Sequence, residues 1–134
     1  MAFFETKYGD SLYAIFRIGT GALFFMYGMM KLFGLWDMPG GAAAFGTLIW
    51  FAGASEFLIG LALVTGALTR LASFFGVIEM LMAYFMGHVS VGGWNPLVNQ
   101  GAPALLFMLA FFATLAFGAR KASLEQAVFN KEFF

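Results

Sequence analysis

Apolar side chains gather in four long runs, residues 12–33, 45–66, 69–88 and 102–119, separated by short polar breaks. Each run is close to the ~20 residues that a helix needs to cross a ~30 Å hydrocarbon core. The pattern predicts an all-α integral membrane protein, a four-helix bundle forming one domain over residues 1–134. Asp37-Met38-Pro39-Gly40-Gly41 breaks the first run from the second, and Gly66-Ala67-Leu68 reads as a tight turn into Thr69. Gly92-Gly93-Trp94-Asn95-Pro96 marks a longer loop, and Pro103 suits the first turn of the last helix. The tail from Lys121 to Phe134 mixes apolar and charged residues and fits either a short amphipathic helix along the inner membrane interface or a frayed end.

The cations orient this arrangement. With four spans, Lys7, Arg70, Arg120, Lys121 and Lys131 fall on one side and only Lys31 on the other. This bias predicts that both termini are cytoplasmic and that the protein lies in the plasma (inner) membrane. Trp36, Trp50 and Trp94 all fall towards the opposite side, where amphipathic rings anchor at headgroup level. The start of the chain carries Glu5, Lys7 and Asp10 rather than a basic stretch, so the first run is expected to stay as an anchor.

Three ionisable residues interrupt the apolar runs: Arg17, Glu56 and Glu79. A charge at such depth costs on the order of 2.5 to 3.5 kcal/mol and needs a partner. At 1.5 Å per residue, Glu56 and Glu79 each lie about 15 Å from the inner ends of their helices, and Arg17 about 10 Å from Asp10. The two carboxylates are level, and the long Arg17 side chain is expected to reach them as a buried ion cluster. Small residues mark close helix contacts in membranes. Arg17, Gly21, Phe24, Gly28 and Lys31 share one face of the first helix, and Gly46, Gly53, Glu56 and Gly60 one stripe of the second. Ala72, Gly76, Glu79 and Ala83 line up on the third. The first three helices are therefore expected to form the interior. The fourth, with Leu105, Leu106, Phe107, Phe111, Phe112 and Phe117 and no charge, would face lipid or a neighbouring helix.

The cluster has two readings. It can fix helix register, or it can act: one arginine against two glutamates leaves an excess negative charge, and a carboxyl that takes up a proton there can relay it or bind a polar ligand. A second constellation lies towards the outer interface, where Lys31, Trp50, Tyr84, His88 and Trp94 could contact a quinone or lipid. A quinone needs an aromatic slot with one or two polar donors. The plainer reading of those residues is an aromatic belt.

Composition narrows the chemistry. The chain is 62% hydrophobic and 10% charged, with formal net charge zero, so nothing points to nucleic acid. Absence of cysteine excludes disulfides, thiolate metal sites and a thiol nucleophile. One histidine cannot ligate haem from both sides, and Glu56, Glu79 and His88 are too few for a di-iron site. No catalytic residue and no metal site is predicted.

Ordered short motifs carry a family resemblance. They are Arg17-Ile-Gly19 and Gly28-x-x-Lys31-Leu32, Glu56-Phe57-Leu58-Ile59-Gly60, Gly66-Ala67-Leu68-Thr69-Arg70-Leu71-Ala72, Asn95-Pro96, Asn99-Gln100-Gly101 and Ser123-Leu124-Glu125. In this order the chain resembles the DoxX family of small four-helix membrane proteins, over nearly its whole length. Ala102 stands where that family often has a glutamate. The resemblance implies Arg17, Lys31, Glu56 and the inner-turn pair Thr69 and Arg70 as motif residues. It further implies an accessory membrane subunit, without catalysis of its own, in a larger quinone-linked redox complex. A small proton-coupled transporter centred on Glu56 and Glu79 is the alternative. As a test of the topology, cysteines introduced at Ser90 and Ser123 should be labelled from opposite sides of the membrane.

Overall fold

The computed structural model describes residues 8–131, and within them the chain is helical with no strand. Lys7, counted in the charge bias above, and the last three residues of the tail lie outside them. Helix α1 runs Gly9–Phe33, α2 Leu48–Thr65, α3 Thr69–Gly92, α4 Ala102–Phe117 and the short α5 Leu124–Phe129. By length and composition α1, α2 and α3 can each cross a membrane; α4 is apolar but shorter. The large side chains left on the outer faces, Leu12, Leu23, Leu58, Leu106 and Leu109 among them, suit lipid contact.

Helix ends follow local chemistry. Helix α2 starts at Leu48, later than the apolar run, because the Thr47 hydroxyl accepts the Trp50 N–H at 3.3 Å as an N-cap. Gly34 and Gly66 end α1 and α2 in the left-handed region, at φ 67° and 71°. Helix α3 continues past His88 to Gly92, and its stretch Ala83–Val89 is wound as a π-helix. Helix α4 stops at Phe117, where Gly118 donates its N–H to the Thr114 carbonyl.

Two antiparallel pairs make the body: α1 lies along α2, and α3 along α4. The first pair touches backbone to backbone. A Cβ added to Gly28 would stand 2.7 Å from the Gly53 carbonyl oxygen, and one added to Gly60 would stand 2.7 Å from that of Gly21. In the second pair the ring of Phe111 fills the space a side chain at Gly76 would need. Phe111 is fully buried, edge-on to Phe24 at 4.8 Å, among Ile59, Leu63, Val77 and Met80. The expectation of an interior built from the first three helices is thus corrected. The fourth contributes Phe111 and the buried Thr114, whose hydroxyl meets that of Ser73 at 2.6 Å, while Leu106 and Phe112 stay outside. Ser123 is buried against Gly66, so Gln126, exposed one turn on, is the better labelling position on that side.

The glycine contacts yield a stability test. Gly60→Ala should destabilise the fold by about 1–3 kcal/mol, because the new methyl meets backbone that cannot move aside. Gly19→Ala, which meets nothing within 4 Å, should be neutral or stabilising by up to about 1 kcal/mol. Reversible unfolding in mixed micelles would compare the two.

Candidate functional site

The ionisable residues divide into two sites at opposite ends of α2. Arg17 is fully buried, and its guanidinium donates to the carbonyls of Leu63 and Val64 at the end of α2 and to those of Lys121 and Ala122 after α4. It does not meet Glu56 or Glu79. The expected three-residue cluster is therefore corrected, for a geometric reason. Helical side chains lean towards their own N-terminus. Arg17 leans away from mid-depth, towards orphan carbonyls that a cation satisfies well.

Around it the weak sequence motifs converge. The Glu125 carboxylate accepts the Leu68 N–H at 2.6 Å. The Ser123 hydroxyl caps α5 by accepting the Gln126 N–H at 3.0 Å. Thr69 is buried, and its carbonyl accepts the Ser73 hydroxyl at 2.7 Å, whereas Arg70 is exposed. Outside this layer Arg120 pairs with Asp10 at 3.1 Å, and Tyr13 donates to the Gly118 carbonyl at 2.5 Å. This end of the molecule is a latch of caps and carbonyl contacts.

Lys31 takes the partner's place that Arg17 was expected to fill. Its ammonium pairs with the Glu56 carboxylate, which is 3% exposed. The same lean explains this. Helices α1 and α2 are antiparallel, so the Lys31 stem and the Glu56 side chain tilt towards one another. Gly53 leaves the room for the lysine: a Cβ there would lie 2.8 Å from that of Lys31.

Glu56 and Lys31 line a cleft of about 850 Å³ between the N-terminal half of α2 and the C-terminal half of α3. Its walls are apolar, with Phe51, Leu58, Phe75, Ile78, Met82 and Met86 all at least 40% exposed, so the cleft opens sideways from the helix pair. Four further polar or small groups reach it: Ser55, Glu79, Gly87 and His88. Both oxygens of Glu79 and the second oxygen of Glu56 are buried and lack a hydrogen bond of normal geometry, with the Ser55 hydroxyl the one side-chain donor beside Glu79. Ser55 gives its hydroxyl proton to its own helix, at the carbonyls of Phe51 and Ala52. His88 sits in the π-helical stretch, its Nδ1 3.0 Å from the Asn99 carbonyl. Asn99 holds the loop in turn, donating to the Gly93 carbonyl and accepting from the Gly101 N–H, both at 2.7 Å.

Of the predicted outer residues, then, Lys31 and His88 reach the cleft and three do not. Tyr84 is buried in the core and donates to the Trp94 carbonyl at 2.5 Å. Trp94 is exposed beside Phe85, and Trp50 packs on Phe45 and Phe51. Sequence reasoning missed Ser55 and the wall formed by Phe51, Phe75, Met82 and Met86. Their spacing at helical period in α2 and α3 was the available signal, but it does not tell a cleft from a lipid face. Among the described residues no three His, Asp or Glu side chains gather closely enough for a metal.

An all-helical membrane protein with a lateral cleft and a buried ion pair is the class these features define. The chain belongs to the DoxX family, which matches residues 12–89 and so ends with the π-helical stretch of α3. An uncharacterized protein of Haemophilus influenzae is 33% identical over 129 residues, covering 93% of this chain and 96% of that relative. No solved structure matches.

Exchanging Lys31 for Met should cost about 3 kcal/mol, because it leaves Glu56 buried without its counter-charge. Adding Glu56→Gln should recover much of that loss. Arg17→Leu should also destabilise but gain nothing from Glu56→Gln, and thermal melts of the five proteins, wild type included, would separate the two sites.

Proposed function

We propose that this DoxX family protein is an accessory subunit of a quinone-linked oxidoreductase complex in the plasma membrane, and that the α2–α3 cleft receives the quinone. The observation that carries this reading is the cleft itself. An apolar slot open to the side admits a lipid-soluble tail and ring directly from the bilayer, and a few convergent polar groups orient the head. Lys31–Glu56, Glu79 and His88 supply those groups, and the partner subunit would supply the redox centre. In this reading the whole chain is one four-span domain with both termini cytoplasmic. Helix α4, 16 residues long, covers about 24 Å, a shortfall that local thinning of the bilayer accommodates at modest cost.

A specific feature also favours the carrier alternative, since two carboxyls share one cleft. Purification from membranes in mild detergent discriminates the readings. A stoichiometric membrane partner supports the accessory subunit; a lone protein that moves protons with a solute in liposomes supports the carrier. For the cleft, a photoreactive quinone should label α2 and α3 between residues 48 and 88. Gly87→Leu should lower that labelling at least tenfold, since a side chain at Gly87 meets no neighbour and projects from the cleft's lining. Undiminished labelling in Gly87→Leu would remove the cleft from the proposal.

A further inference from the structure

The head end of the cleft is short of hydrogen-bond donors. Three buried carboxylate oxygens, two on Glu79 and one on Glu56, lack a hydrogen bond of normal geometry, and the one hydroxyl beside Glu79 is that of Ser55. Ser55 has a single proton, for which the Phe51 and Ala52 carbonyls of its own helix compete with Glu79. The Asn99 carbonyl can only accept, so the His88 Nδ1 carries the proton of that contact, and in the neutral ring Nε2 is an acceptor. Lys31, the one donor-only side chain lining the cleft, spends one of its three N–H groups on Glu56 and leaves two against the open acceptors of Glu56, Glu79, Ser55 and His88. A proton taken up by either carboxyl adds a single donor and leaves acceptors in the majority. A buried acceptor without a donor costs about 1–3 kcal/mol, more when charged. A ligand that supplies donors removes that cost, and one that brings only acceptors adds to it.

A quinone head has carbonyl oxygens, which accept. Its reduced form carries hydroxyl groups, which donate. We infer that the α2–α3 cleft selects the reduced, dihydroxy form of its ligand over the oxidised form, with Glu79 as the principal hydrogen-bond acceptor. This rests on the reading of the cleft as a quinone site and adds which redox form it holds. It also reverses the simplest expectation from sequence, that the site would offer donors to quinone carbonyls. Glu79 acts here as a binding and specificity residue, and no electron transfer within this chain is implied.

The test uses the full chain in lipid nanodiscs and two probes, a decyl-substituted benzoquinone and the benzoquinol obtained from it, compared under anaerobic conditions. The quinol should bind at least tenfold more tightly, and Gly87→Leu should abolish binding of both. Glu79→Gln, whose amide adds donors, should weaken quinol binding at least fivefold and leave quinone binding within about threefold. Should that variant fail to fold, the wild-type ratio decides alone. Equal binding, or preference for the quinone, overturns the inference and leaves the cleft as a quinone site. Binding of neither probe, or binding that Gly87→Leu does not touch, overturns the cleft reading and the inference with it.

Discussion

The contact between α1 and α2 is backbone on backbone at two levels, Gly21 against Gly60 and Gly28 against Gly53. Without side chains at these four positions the helices approach until only main-chain atoms separate them, and the antiparallel register is fixed. That register sets where every buried charge goes. It puts the stem of Lys31 on Gly53, one turn from Glu56. It also puts Arg17 level with the last turn of α2, where carbonyls have no helical partner. The tightness of this pair leaves α2 free on its other side. Helices α2 and α3 are joined by the Gly66–Leu68 turn, and the cleft lies between the N-terminal half of α2 and the C-terminal half of α3.

Much of this was legible in the sequence, because membranes make the relevant signals long. Runs of apolar residues announce the helices, and Arg17, Gly21, Phe24 and Gly28 on the predicted face of α1 are buried with Lys31 partly so, whereas Gly46, expected on the stripe of α2, lies exposed in the loop before it at φ 82°. Glu56 was identified as a buried acid in need of a cation. The wrong cation was chosen because depth counting treats a side chain as free to extend either way, whereas the helix commits it to one. Lys31 was taken for an outer-interface residue by the same counting. The π-helical stretch has no sequence signature at all: Ala83–Val89 reads as ordinary apolar helix. It nonetheless places Ala83, Met86, Gly87 and His88 along the cleft. Such single wide turns often occur at functional sites.

Polar groups at the two ends of α2 contrast in how completely they are answered. At the inner end Arg17 has carbonyl acceptors from two separate segments, and Glu125 and Ser123 meet backbone N–H groups. Those contacts close the chain on itself, with the Thr69 hydroxyl the one buried side-chain oxygen of this layer, among the described residues, left without a partner. At the outer end the acceptors on Glu56 and Glu79 stay open in an apolar surround. A protein keeps such groups at a cost in stability, and a site that a ligand completes is the usual reason.

The latch at the inner end bears on how the molecule is made. Two of the carbonyls around Arg17 belong to Lys121 and Ala122, 104 and 105 residues further along the chain. The α1–α2 hairpin can insert and pair early, since its glycine contact is complete once residue 65 has emerged. Its guanidinium shell cannot, because half of the acceptors are still unsynthesised. Domains are generally built from the N-terminus during translation, so here the segment after α4 does the closing. Arg17 thereby ties maturation of the first helix to synthesis of that later segment, and a nascent chain stalled before residue 121 would leave its guanidinium without two of its four carbonyl acceptors.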